Sequence, residues 1–298
     1  MQRAVNWLEK CWTKPAGKKN ALPFITQNKK GEGMLKALSV ISLALLLGAC
    51  AGDGPPRPDA GASQGNPKST DITGPADART RAMLHTDLGV GYFTRGQMQI
   101  ALDELNTSIR LDPSYEPAYN AMGLVYMNLG EDANATWYFE KGLRLTPDDS
   151  ETNNNYGWFL CQKGKYQEAI NHFYVALKNP LYQHPETAYA NIGICSARKG
   201  DLVMATDYLE RSMQVRPEFP IALLNLADIA YREARYTDAR AYLGRLQLQG
   251  PLDAQALWLG VRVERMRQDR SAMDSYALQL RNRFPASKEA EMLRNGQF

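Results

Sequence analysis

Side chains able to do covalent or metal chemistry are few in this chain of 298 residues. Histidine occurs only at His85, His172 and His184, scattered and without a His-x-x-x-His spacing. Cysteine occurs at Cys11, Cys50, Cys161 and Cys195, never at metal-ligand spacing. Gly-x-Ser-x-Gly, the P-loop and the dinucleotide fingerprint are all missing from the sequence. Carboxylate pairs such as Asp103-Glu104 and Asp148-Asp149 fall at helix faces or helix starts, where solvation and capping explain them. No enzyme activity, cofactor or metal is expected, and a hydrolase would need a convergent polar triad that the sequence does not show. What remains is recognition chemistry. Asparagine amides, each offering a donor and an acceptor, recur at Asn155, Asn191 and Asn225.

The elements that must hold these amides are announced by ladders of small residues and prolines. Small residues recur at Gly89, Gly123, Gly157, Gly193 and Ala227. Alanines recur at Ala101, Ala135, Ala169, Ala205 and Ala239, and prolines at Pro113, Pro147, Pro180, Pro217, Pro251 and Pro285. The small residues sit where two helices cross closely, and aromatics such as Tyr119, Tyr126 and Phe139 fill the space around the crossing. The prolines fall between helices, where a missing N–H breaks nothing. The steps are close to 34 residues, a period and pattern that resemble the tetratricopeptide repeat, a helix–turn–helix unit. The resemblance implies an all-α, right-handed superhelical solenoid of six repeats over residues 81–287, with 288–298 as a tail or cap. The sixth copy is degenerate, with Met273 in place of the alanine, as suits a repeat with a solvent-facing side. Between the third and fourth copies the step stretches to 36, through a connection holding Pro180 and Pro185.

In repeats of this type, positions 2, 5, 6, 9, 12 and 13 of the first helix face a concave groove. Position 6 reads Asp87, Ala121, Asn155, Asn191 and Asn225. Three successive asparagines resemble an asparagine ladder that grips a peptide backbone; the alternative is three exposed polar residues. Phe93, Leu124, Met127, Trp158, Ile194, Leu224 and Tyr231 would line the same face, unless some sit one position over in the core. Large apolar residues on a concave face suit a partner strand or helix. Trp137 and Tyr138 form a second candidate patch on an outer helix. Cys161 and Cys195 fall in the first helices of the third and fourth repeats, close in height along neighbouring helices. They are either a disulfide or two reduced, buried thiols; Cα geometry decides. A bond would staple the solenoid by roughly 3 kcal/mol in the chain-entropy model.

The front of the chain reads as an address. Met34-Leu35-Lys36 precedes an apolar run from Ala37 to Leu47, too short to span a membrane, ending in Leu47-Gly48-Ala49-Cys50. Residues 34–49 read as a signal peptide, and the cysteine after Leu-Gly-Ala resembles a bacterial lipobox. Cys50 would then become the lipidated N-terminus; the alternative is an ordinary signal peptide with a chance cysteine. Acyl chains contribute about 0.8 kcal/mol per buried CH₂, enough together for stable anchoring. Residues 50–80, rich in Pro, Gly, Asp, Ser and Ala, read as a flexible tether. Residues 1–33 are basic and polar without periodicity, and translation is expected to start at Met34; the alternative is a long n-region. Detecting precursor that retains residues before Met34 would overturn that start site. Eight basic and two acidic residues leave with the leader, taking the net charge from +3 to −3. A nucleic-acid partner recognised through bulk charge is excluded.

Together, the lipobox, the tether and six repeats resemble the PilF/PilW family of type IV pilus biogenesis lipoproteins. The resemblance extends to Asn179-Pro180-Leu181-Tyr182 between repeats three and four. It also extends to Leu257-Trp258-Leu259-Gly260-Val261-Arg262, Ser275-Tyr276, Leu278-Gln279-Leu280 and Phe284-Pro285-x-Ser287 at the end. It covers about residues 34–290. It implies a pilotin-like role: a lipid-anchored protein that binds the outer-membrane secretin of the type IV pilus, with other pilus assembly proteins as further partners, and either helps the secretin reach its membrane and multimerise or stabilises the pilus. Ala51-Gly52 lacks the Asp associated with inner-membrane retention, which implies the inner leaflet of the outer membrane, facing the periplasm. The rival reading is a periplasmic adaptor for peptidoglycan enzymes or outer-membrane protein assembly.

Overall fold

A computed structural model describes residues 75–298, and every regular element among them is a helix. Six hairpins follow one another. The first pairs α1 (Pro75–Thr94) with α2 (Met98–Leu111), and the second α3 (Glu116–Leu129) with α4 (Asp132–Leu145). The third pairs α5 (Ser150–Gln162) with α6 (Tyr166–Leu177), and the fourth α7 (Pro185–Lys199) with α8 (Leu202–Val215). The fifth pairs α9 (Pro220–Arg232) with α10 (Tyr236–Gln249), and the sixth α11 (Ala254–Met266) with α12 (Arg270–Arg283). A last short helix, α13 (Lys288–Arg294), packs on α11 and α12 and buries Ala290. The chain is the all-α repeat solenoid that the ladders announce.

Local sequence sets the helix starts and stops. Asp149, Asp201, Asp253 and Asp269 each accept a hydrogen bond from the backbone N–H three residues on, capping α5, α8, α11 and α12. Prolines open α3, α7 and α9 within the first turn, where no N–H is needed. Inside each hairpin the small residue permits a close crossing. A Cβ added at Gly123 would lie 2.6 Å from the Phe139 ring, and one at Gly157 would lie 2.8 Å from the Phe173 ring.

First helices pack against the first helices of neighbouring repeats, whereas second helices make no comparable contact with one another. The first helices thus form the inner layer and the second helices the splayed outer one. The largest core spans the middle hairpins, with Phe139, Ile170, Phe173, Ile192, Leu209 and Phe219 fully buried.

One boundary departs from expectation. The tether was expected to run to residue 80, but residues 75–80 belong to α1. This early turn is tied down by Arg79, which donates to Asp112 at 3.2 Å and lies 5.2 Å from the Tyr115 ring centroid. The two-proline connection after α6 packs partly inward. Tyr182 folds inward against Ala176 and Ala188, while Leu181 stays exposed. Cys50, the signal segment and the rest of the tether lie outside the described residues.

Candidate functional site

The inner layer carries the expected groove residues, but it does not present them all to solvent. Leu124, Met127 and Asn225 are half-buried, as are Leu224 and Tyr231. Phe93 packs into the core of the first two hairpins with Leu105, Met122 and Val125. Trp158 and Ile194 belong to the middle core. Asn155 is buried and Asn191 is fully so.

The asparagines are used differently from the expected ladder. Asn155 Nδ2 donates to Asn120 Oδ1 at 3.0 Å, and Asn191 Nδ2 donates to Asn154 Oδ1 at 2.9 Å. Asn225 Nδ2 turns back onto the Ile221 carbonyl at 2.7 Å. Two of the three amides therefore clamp one first helix to the next. Asn191, with no exposed surface, cannot grip a peptide in an open groove. Its partner sits one position earlier on the preceding helix, an offset that position-by-position reading does not reveal.

Behind this row, Cys161 on α5 and Cys195 on α7 are joined in a disulfide, with their Cα atoms 5.8 Å apart. Both are buried, so the bond is an internal staple between two inner helices.

Among the described residues, no cluster of His, Cys, Asp and Glu could hold a metal ion. His85 Nδ1 lies 2.6 Å from Glu104, His172 Nδ1 lies 2.8 Å from Asn153 Oδ1, and His184 Nδ1 lies 3.7 Å from Glu186. These are three separate places. Burial pushes the His172 pKa down and so favours its neutral form. Glu116, buried at the start of α3 and accepting the Thr152 hydroxyl proton, is pushed up to about 7 by burial and then by the Asp149 charge.

Arginines facing aromatic rings were not anticipated from the sequence. Arg198 lies over Trp158 with 5.0 Å to the centroid, Arg262 over Tyr231 at 4.7 Å, and Arg265 over Phe298 at 4.0 Å. The recurrence of Arg198, Arg232 and Arg265 at steps of 34 and 33 residues is the signal that could have found Arg198 and Arg265. On the outer layer, Trp137 is half-exposed and meets Tyr138 edge-on at 4.7 Å, while Tyr138 stacks on Tyr126 at 5.2 Å.

This arrangement can bind and position a chain. Comparison with known proteins agrees with the architecture and narrows it. Residues 116–149, 138–171 and 197–259 match tetratricopeptide repeat families. The type IV pilus assembly protein PilF of Pseudomonas aeruginosa is 31% identical over 224 residues, covering 75% of this chain and 87% of that protein. The crystal structure of PilW, described as a widely conserved type IV pilus biogenesis factor, superposes with a TM-score of 0.66 at 32% identity. That match covers 71% of this chain and 97% of PilW. A solved structure of Pseudomonas aeruginosa PilF gives 0.65 at 29% identity, covering 75% of this chain and 99% of that one. Shared sequence over nearly the whole relative, on the same repeat scaffold, places this chain in the PilF/PilW family of tetratricopeptide-repeat proteins of type IV pilus biogenesis.

Proposed function

We propose that this protein is a pilotin: a non-enzymatic lipoprotein that binds the type IV pilus secretin through its repeat groove and promotes secretin localisation and multimerisation. Cys50 carries the lipid, and the protein sits on the inner leaflet of the outer membrane facing the periplasm. The observation that carries this reading is the family likeness over the whole repeat region, joined to an inner layer rich in half-buried apolar and aromatic side chains. The mechanism is physical. The groove shields an exposed segment of a secretin subunit, and the anchor delivers the subunit to its membrane.

The test is secretin multimer abundance in outer-membrane fractions of a deletion strain, complemented with the wild-type chain or with Cys50→Ala. Multimers should fall in the deletion, recover with the wild type and recover incompletely with Cys50→Ala. Normal multimers in the deletion overturn the pilotin role. Altered cell shape with normal multimers and normal twitching would favour the adaptor reading.

A further inference from the structure

The inner layer changes chemistry along its length. At one equivalent position near the end of successive first helices stand Asn128, Gln162, Arg198, Arg232 and Arg265. The first two are neutral and the last three are cations, all three exposed. Several arginines elsewhere on the repeats are neutralised: Arg235 pairs with Glu233 and Asp238, Arg245 with Glu218, and Arg240 with Glu264. Among the described residues, no carboxylate pairs with Arg198, Arg232 or Arg265. They lie instead against the inner layer itself. Arg198 covers Trp158, Arg232 Nη1 approaches the Ala197 carbonyl at 3.5 Å, and Arg265 covers Phe298. A row of unneutralised cations at repeat spacing is an electrostatic match for a run of carboxylates.

A second observation says what else the site takes. Phe298 stacks on Trp258 with ring centroids 5.7 Å apart and planes 27° from parallel. The Arg265 guanidinium carbon lies 4.0 Å from the Phe298 centroid. An aromatic ring is thus held by an indole and a guanidinium on the first helix of the last repeat, contacts that suit an aromatic anchor. The occupant is the chain's own tail, and its ring is still 48% exposed, so the hold is incomplete.

We infer that the inner face of α7, α9 and α11 docks an extended acidic segment of a partner protein. An aromatic side chain of that segment enters the Trp258–Arg265 slot now filled by Phe298, and its carboxylates pair with Arg198, Arg232 and Arg265. Phe298 is then a built-in competitor that keeps the slot covered until a better ligand arrives. The inference rests on the groove-binding role proposed above and adds the chemistry of the bound segment.

The test uses the full chain in detergent micelles and a short fluorescein-labelled peptide of phenylalanine flanked by aspartates, read by fluorescence anisotropy. Saturable binding that weakens with salt is expected. Arg232→Glu combined with Arg265→Glu should weaken it by about tenfold or more, the effect of losing roughly one well-placed charge contact. Phe298→Ala should tighten it by about threefold, because the open slot becomes more populated. Circular dichroism checks that each variant is folded. If the double reversal unfolds, the milder Arg232→Gln replaces it and should weaken binding severalfold. No binding, equal binding of a peptide with lysines in place of the aspartates, unchanged affinity in the arginine variants, or no tightening in Phe298→Ala each overturns the inference. Secretin multimers are read in cells without this peptide. A failed titration beside lost multimers in the deletion removes only this inference. A successful titration beside normal multimers removes only the pilotin reading.

Discussion

Single residues carry two demands that can be tested directly. Gly123 lets α3 and α4 cross over the fully buried Phe139 ring, with no space for a methyl group. Gly123→Ala should destabilise the protein by about 1–3 kcal/mol, the usual range for overpacking, seen as a lower urea midpoint. An unchanged midpoint would mean that the ring can step aside. Glu116 poses an electrostatic demand. Its folded pKa is raised from 4.5 to about 7, chiefly by burial and then by Asp149, with Glu151 adding to the push and the Thr152 hydroxyl bond opposing it. The folded state therefore holds this proton more tightly than the unfolded chain. The resulting stabilisation is fully present below about pH 4.5 and is lost as pH rises through about 7. It is worth at most about 3 kcal/mol. Glu116→Gln should flatten the stability–pH curve across that window and raise stability at pH 8. The same slope in both proteins would refute the assignment.

At the scale of the element, the hairpin turn repeats as faithfully as the helices. Gly96, Gly130, Gly164 and Gly200 adopt the left-handed conformation between first and second helices. The fifth and sixth hairpins put Ala234 at φ 58° and Gln268 at φ 61° in the same place. A Cβ there costs roughly 1–2 kcal/mol, so Ala234→Gly should raise the thermal midpoint, and a fall would show that the turn is held by other contacts. The hairpins were legible in the sequence because each ladder marks a packing need that only a few residue types satisfy. The groove was less so. Whether an asparagine faces a ligand or a neighbouring helix depends on the offset between helices, and Asn155 and Asn191 both reach back to the preceding one. Trp158 and Ile194 likewise sit deeper than their positions suggested. The slot around Phe298 depends on a tail folding back onto α11, which no periodicity encodes. The arginine row was present in the sequence, but the degenerate sixth repeat hides its register.

The whole repeat region is a stack in which each hairpin touches mainly its neighbours, so its stability is distributed and need not be uniform. The middle holds the most. It has the largest core, the two amide clamps between first helices, and the Cys161–Cys195 bond closing a separation of 34 residues. The ends hold less, since α1 has a neighbour on one side only among the described residues, and α12, packed on α11, is followed by only the seven-residue α13 among the described residues. Hydrogen exchange should be slowest in α5 to α7 and fastest in α1, α12 and α13. Replacing both cysteines by serine removes a constraint worth about 3 kcal/mol in the chain-entropy model. Because couplings run between nearest neighbours, that loss should appear as faster exchange centred on α5 to α7, with little change in α11 to α13. Uniform acceleration along the chain would show instead that the six hairpins open as one cooperative unit. In that case a ligand on the basic inner face of α7, α9 and α11 would stabilise α1 as strongly as α11; in the local case its protection would fade toward the first hairpin.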